Sequence, residues 1–414
     1  MLRCVKCVGL IPMPLRTDGP EKGEKMITVL RGGQVFSPVC LGNKDILIVH
    51  DRIGAIASPG EIHISGTKVQ EIDVSKNIII PGFIDSHVHI LGGGGEGGPT
   101  TRAPEIRIED IISSGVTSLI GCLGVDGITR QMPSLLAKAR ALEFEGITTY
   151  IFSGSYEIPV NTLTGSIRSD LIMIDKVIGA GEIAISDHRS SQPTFEEFAR
   201  LAADCRIGGM LGGKAGILHC HLGDGKDKLD LIFRVVKETE IPPTQVIPTH
   251  SNRNRDLLEE AIQFMHLGGY IDLTADLDPE PKPNGHLSVA VAIQLCREKQ
   301  APITQITISS DSNGSLPVFD TRGKLLSLTI ANQKSLLTNF QYLIQKDIVT
   351  MEEAVKLFST NPAVYYGLDD LGEIKTGKQA DVLLLDKDYN LTGSFAKGKI
   401  TMLEGKLLAK GTFR

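Results

Sequence analysis

The chain has 414 residues, 41% of them hydrophobic and 22% charged, with a formal net charge of −6. No run approaches the ~20 apolar residues that cross a bilayer, and Lys and Arg are scattered rather than clustered, so neither a membrane protein nor a nucleic-acid binder is expected. Seven cysteines, odd in number and dispersed, argue against a disulfide framework and for a reducing, cytoplasmic setting.

Residues 1–25 lack an apolar stretch with a small-residue cleavage site and read as a tail, or as an upstream start before Met26. Cys4 and Cys7 have metal-like spacing, but no second pair closes a tetrahedral site. From Met26 to about Ile80, short β-rich runs alternate with Gly, Pro and Asn, which predicts small antiparallel strands. The same texture returns after residue 370. The segments 26–80 and 370–414 are therefore expected to fold together as one small β-sandwich domain.

Between them, over 81–369, β-branched apolar runs alternate with helical patterns, the signature of parallel βαβ units. Eight runs qualify as strands: "GFIDSHVHI", "VTSLIGCL", "TTYIFSGS", "EIAIS", "GILHCHLG", "TQVIPTH", "YIDLTAD" and "ITISSD". Helices are expected over "PSLLAKARALEFEG", "TFEEFARLAADCR" and "NRDLLEEAIQFMHLGG". A doubly wound open sheet shares this alternation, but eight strands favour an α/β fold of the (β/α)8 TIM barrel kind.

Polar groups collect where these strands end, the rim at which barrels place their active sites. Strand one ends in His87-x-His89, and strand side chains at i and i+2 share a face, so both can grip one ion. Strand four carries Glu182, strand five ends in His221, strand six in His250 and strand eight in Asp311. His219 would also face inward, one layer deeper, and is the second choice on strand five. His188 could stand behind the site, whereas His50, His63, His266 and His286 are taken as structural. Four imidazoles and two carboxylates suit zinc or a similar divalent ion, and six ligands exceed one tetrahedral site. Two metals sharing a carboxylate is the economical arrangement.

These residues resemble the amidohydrolase superfamily, with its H-x-H on strand one, a bridging acid or carboxylated lysine on strand four, histidines on five and six and aspartate on eight. The stretches "GGGGEGGPTTR", "PTHSNRN" and "SSDSNGS" are similar, more closely, to the isoaspartyl dipeptidase (β-aspartyl peptidase) family. The resemblance covers the chain from Met26 onward and implies the metal-dependent amidohydrolase barrel. It implies two Zn2+ per chain, other divalent ions being admissible, with His87, His89 and Asp311 on one, His221 and His250 on the other, and the strand-four residue on both. Where the best-known form has a carboxylated lysine, this chain has Glu182. Lys176 and Lys214 are the nearest lysines and neither reaches that position, so no carboxylated lysine is expected.

The implied chemistry is hydrolysis of the β-aspartyl bond of a dipeptide by a metal-bridging hydroxide, with Asp311 moving the proton and Tyr156 donating to the oxyanion. A β-aspartyl dipeptide carries one ammonium and two carboxylates. Glu96, with Gly94 and its neighbouring glycines, is expected to meet the ammonium, while Arg189 and Arg253 take the carboxylates. Ser315 is a polar contact at the aspartyl end. Val125 falls where a small hydroxyl residue is expected, so that a hydrogen bond is absent or supplied by Asp126. The resemblance further implies a homo-oligomer, with an octamer among the sizes. Two other readings compete: another binuclear amidohydrolase, either a cyclic amidase or an N-acyl amino acid deacylase, and a non-catalytic scaffold.

Overall fold

A computed structural model describes residues 27–281, 286–320 and 322–412. The expected tail over 1–25, with Cys4 and Cys7, lies outside the described residues.

Strands from both chain ends build one nine-stranded sheet. The N-terminal part supplies β1 (Ile27–Phe36), β2 (Cys40–Val49), β3 (Arg52–Ala57), β4 (Val69–Asp73) and β5 (Ile78–Pro81). Its apolar side chains, among them Leu30, Ile46, Ile48 and Ile79, meet Val382, Leu384 and Phe395 from the C-terminal part in one buried cluster. The expectation of antiparallel strands holds for β1 with β2 but not throughout, because β1 pairs in parallel with β4 and with β5. The hairpin β2–β3 returns β3 to the far edge, which leaves the other side of β1 to later strands.

Eight parallel strands follow: β6 (Phe83–Val88), β7 (Val116–Gly121), β8 (Thr148–Ser153), β9 (Val177–Ile185), β10 (Ile217–Leu222), β11 (Val246–Thr249), β12 (Ile271–Thr274) and β13 (Ile306–Ser309). They correspond one for one to the eight runs read from the sequence. β6 to β11 form a six-stranded sheet in chain order, and β12 pairs with β13. Contacts that span the gaps include the hydrogen bond from Ser251 N to Asp272 O at 3.2 Å and a parallel bridge between Val88 and Ser312. Strands β6 to β11 are buried along their length apart from half-buried Tyr150, as expected of parallel strands covered on both faces.

The helices lie outside this curled sheet. The one over Phe195–Gly212 starts at a capping box, Thr194 with Glu197, and stops at left-handed Gly213. It outruns the expected segment because Gly208 and Gly209 are contact points rather than stops. A Cβ on Gly209 would lie 2.7 Å from the Gly216 Cα. A hairpin not foreseen from the sequence, β14 (Ser315–Phe319) with β15 (Leu325–Ile330), rises just after β13. The chain then returns to the first sheet with β16 (Val382–Leu385), β17 (Leu391–Ala396), β18 (Lys399–Leu403) and β19 (Lys406–Leu407). There β16 pairs antiparallel with β5, immediately ahead of β6.

Candidate active site

The C-terminal ends of the parallel strands bring the sequence-predicted polar residues together. His87 Nε2 lies 3.4 Å from Glu182 Oε2 and 3.6 Å from Asp311 Oδ1. His89 Nε2 is 3.3 Å from Glu182 Oε1 and 3.0 Å from Asp311 Oδ1. Glu182 Oε2 also faces His221 Nδ1 at 3.0 Å and His250 Nε2 at 3.7 Å. Glu182 therefore stands among the four imidazoles, with Oε1 turned to His89 and Oε2 to His87, His221 and His250.

Glu182 sits at an irregularity in its strand. Ala180 and Ile183 of β9 pair with Leu218 and Cys220 of β10, so Gly181 and Glu182 together oppose the single residue His219. This is a bulge, which re-aims a side chain at the cost of one ladder position. Gly181 permits it, since a Cβ there would come within 2.9 Å of the His219 Cβ. His250 and Asp311 sit just past their strands with φ of 59° and 52°, the left-handed region in which a residue other than glycine is strained.

Each imidazole turns its second nitrogen away from Glu182 and Asp311 and toward a different neighbour. His87 Nδ1 meets His219 Nε2 at 3.0 Å, His250 Nδ1 meets Thr274 Oγ1 at 2.7 Å, and His221 Nε2 meets Asp187 Oδ2 at 3.0 Å. His89 Nδ1 has Cys122 Sγ at 3.9 Å. Metal-ligating histidines are oriented in this way by an outer partner.

The centre is short of positive charge. His87 Nε2 and Asp311 Oδ1 are buried with no hydrogen-bond partner, the 3.0 Å approach of His89 being out of alignment. Burial opposes charging His87, yet Cys122 and Glu182 raise its pKa well above the ordinary value. Burial likewise works against ionised Glu182, and the imidazoles of His87 and His221 hold its carboxyl well below the usual range. Ligating atoms fall into two groups, His87–His89–Cys122–Glu182 and Glu182–His221–His250, each within 4.8 Å, that share Glu182. This donor set fits a divalent metal.

These groups open into a cavity of about 460 Å³ that Gly94, Glu96, Val125, Tyr156, Arg189, Arg253 and Ser315 also line. Glu96 Oε1 accepts from Ser315 Oγ at 2.6 Å and from Arg189 Nη1 at 3.1 Å, while its Oε2 is buried without a partner. The glycine loop is clasped rather than slack: Gly92 and Gly94 have φ of 76° and 80°, and a Cβ on either would strike the carbonyl of Ala103 or Thr101. Arg130 secures it through the carbonyls of Leu91 and Ala103, each at 3.2 Å.

The two arginines differ. Arg189 spends Nε and Nη2 on Asp187, at 3.0 and 2.8 Å, and Nη1 on Glu96. Arg253 gives only Nε, to Leu222 O at 2.8 Å, and its two terminal amino groups have no protein partner among the described residues. The Tyr156 hydroxyl lies 2.9 Å from His221 Nδ1, and burial followed by Glu182 pushes its pKa well above 10, so it remains a donor.

An Amidohydrolase family profile matches residues 290–408. The β-aspartyl dipeptidase of Fervidobacterium islandicum AW-1, solved with β-Asp-Leu, is 41% identical over 93% of this chain and 98% of its own, with a TM-score of 0.88. The chain belongs to the amidohydrolase family. Within it, dihydroorotases also align, at 42% identity for Listeria monocytogenes serotype 4a strain HCC23 (91% of this chain, 94% of that one) but 21% for Listeria welshimeri over the same shares. Identity alone does not separate these activities.

Some expectations for this amidohydrolase need correction. His188 does not stand behind the site: it is exposed and meets the Phe319 ring edge-on at 4.7 Å, while Asp187, one residue earlier, turns inward to His221. His286 is not a structural helix residue but lines the cavity ahead of the helix Val289–Glu298. Asp126 is not available to replace a hydroxyl at Val125, because Arg102, Thr129 and Arg130 engage it; burial opposes its ionisation, yet these contacts hold its carboxyl down at about 2. Asp187, Thr274 and Cys122 were missed. Only the first lay beside a residue already singled out, in "SDHRS".

Proposed function

We propose that this amidohydrolase is a metal-dependent dipeptidase that cleaves the β-aspartyl (isoaspartyl) bond. One observation carries the reading: Glu96, a cavity-lining carboxylate, keeps a buried and unpartnered oxygen. A zwitterionic dipeptide brings an ammonium to fill that vacancy. Dihydroorotate has no cation to offer, and its own carboxylate would be repelled there.

The reading includes a (β/α)8 barrel over 81–369, with 26–80 and 370–414 as the small β-domain. The Ser251–Asp272 and Val88–Ser312 contacts support closure. It assigns two zinc ions per chain, one to His87, His89 and Asp311, the other to His221 and His250, with Glu182 on both. No carboxylated lysine is involved: Lys176 Nζ donates to Thr149 O at 2.9 Å and Lys214 Nζ to Ile174 O at 2.5 Å, both on other elements. When bound, such ions supply Lewis acidity at the scissile carbonyl and bring the pKa of a water toward neutrality.

The side chains do the rest. Asp311 accepts the proton of the attacking water and returns it to the departing amine, without which an amide does not release its nitrogen. Tyr156 donates to the oxyanion, a contribution of about 3 kcal/mol. Glu96 binds the substrate ammonium, with Gly94 at its side and Ser315 fixing its other oxygen. Arg253, with free terminal amino groups, is the carboxylate anchor, and Arg189 chiefly braces Glu96 and Asp187, meeting the second carboxylate only along Nη1. Val125 offers an apolar wall. The dispersed cysteines support a cytoplasmic location. Exposed Met173, Met210 and Leu211 support burial against further copies, up to an octamer. Among the described residues, no helix is long and apolar enough to cross a membrane.

The test is hydrolysis by metal-replete protein of β-Asp-Leu, α-Asp-Leu, dihydroorotate and N-acetyl amino acids. Turnover of β-Asp-Leu alone is expected, and turnover of dihydroorotate without it would overturn the reading. Apo-protein given zinc should regain activity with no bicarbonate added.

A further inference from the structure

The outer neighbour of His87 differs in kind from those of His89, His221 and His250, because it is a second imidazole, His219. An imidazole donates or accepts at either nitrogen, so the 3.0 Å contact alone does not say which ring supplies the proton. The residues beyond His219 do.

His219 is fully buried in β10 and stacks on Phe152 of β8, with ring centroids 4.7 Å apart and planes 12° from parallel. Its Nε2 faces His87 Nδ1, and its Nδ1 faces the Tyr366 hydroxyl at 3.3 Å. Tyr366 directly follows the helix Asn361–Tyr365 and has Ser86 as a further hydrogen-bonding neighbour. Ser86 Oγ in turn reaches Asp272 Oδ1 at 3.4 Å. These five side chains run from β12 back to β6, and all of them are buried from water.

The polarity of the chain follows from its end. Asp272, a carboxylate, only accepts. Ser86 gives its one proton to Asp272, and Tyr366 gives its one proton to Ser86, so the Tyr366 oxygen must accept from His219 Nδ1–H. A neutral imidazole carries a single proton, which leaves His219 Nε2 as acceptor and His87 Nδ1 as donor. His87 Nε2, buried and unpartnered on the side of Glu182 and Asp311, is the nitrogen left for an ion.

We propose that His219 and Tyr366 are positioning residues that commit His87 to donating through Nδ1, so that its Nε2 is presented to the first metal. The ligand is then oriented by a row of protons anchored on Asp272, two strands removed from any residue that touches the ion. The inference rests on the binuclear reading above.

The experiment follows histidine labelled with nitrogen-15 through two-bond correlation spectra of the metal-free and zinc-loaded full chain, with zinc affinity measured by chelator competition. His219, identified by the signals lost in His219→Phe, is expected in the Nδ1–H form in both states, and His87 in the Nδ1–H form once zinc is bound. His219→Phe should weaken the binding of one zinc by about 10–100-fold, the usual scale for a lost outer partner, and leave the other unchanged. His219→Gln, whose amide oxygen can accept from His87, should recover most of that loss. A side chain that only fills space would reverse the order, with phenylalanine binding zinc as well as histidine does and glutamine worse. Should His219→Phe not fold, Tyr366→Phe, which deletes only the acceptor of His219, takes its place with a smaller loss expected. A His219 protonated on Nε2, or unchanged zinc affinity in these phenylalanine variants, overturns the proposal. One zinc per chain with the expected tautomers supports the row of protons and overturns the binuclear reading, whereas two zinc ions with the opposite tautomers do the reverse.

Discussion

Asp272 of β12 and Asp311, just past β13, are buried aspartates on adjacent strands with opposite surroundings. Asp272 receives Thr249 and Ser309 on Oδ2, at 2.7 and 2.6 Å, and Thr307 and Ser86 on Oδ1, at 2.6 and 3.4 Å. Asp311 Oδ1 has imidazoles close by but no aligned donor. The same side chain is thus complete in the floor of the sheet and open at its rim. A buried carboxylate whose oxygens are all answered by the fold supports structure, whereas one left unanswered is waiting for something the chain does not contain.

The contrast can be broken most directly at the rim. Asp311→Asn should lower kcat on β-Asp-Leu by about 10²–10⁴-fold, the usual scale for a lost proton-transfer group, with the urea midpoint of the metal-free protein little changed. A large stability loss with activity retained would reverse the assignment. Glu96→Gln removes the charge that meets the ammonium and leaves Arg189 less compensated. A charged hydrogen bond of about 1.5–3 kcal/mol predicts a roughly 10–100-fold fall in kcat/KM, measured by steady-state kinetics.

On the floor the outcome should invert. Thr307→Val deletes one donor to Asp272 at nearly constant shape and should cost about 1–3 kcal/mol in denaturant unfolding, with kcat per folded molecule unchanged. The smallest effect belongs to Asp381, between the two sheets. Burial raises its pKa above 3.8, despite hydrogen bonds from Lys397 N at 2.8 Å, Gln379 at 2.9 Å and Ser118 at 3.2 Å. Above pH 3.8 the unfolded chain releases this proton while the folded one retains it. Stability therefore declines as pH rises through the interval between 3.8 and the raised value. Asp381→Asn should flatten that decline, read from unfolding midpoints across the interval. An unchanged slope would assign it to other groups.

Much of this arrangement is legible in the sequence because it is periodic or local. Parallel strands buried on both faces read as short apolar runs, and His87-x-His89 reads as a ligand pair because strand side chains alternate. What escapes is set by tertiary neighbours. No spacing relates Thr274 to His250, or Cys122 to His89, and β4 and β5 look alike whether they pair in parallel or antiparallel. Gly208 and Gly209 read as helix ends when the packed Gly216 decides otherwise. The hairpin β14–β15 carried a turn signal, Asp320 to Gly323, but its strands lack a clean alternation of buried and exposed residues.

The join between β5 and β16 has a consequence for biogenesis. The segment that leads into His87 and His89 is flanked, through Ile78–Pro81, by residues made some 300 positions later, and Gly82 N donates to Asp381 O at 3.0 Å. A chain leaving the ribosome with its N-terminus first must hold that edge open until Val382–Leu385 have been made. The rim that carries His87 and His89 can thus be finished only after those later strands emerge, and a product stalled or clipped before them would lack the splint that steadies these two histidines.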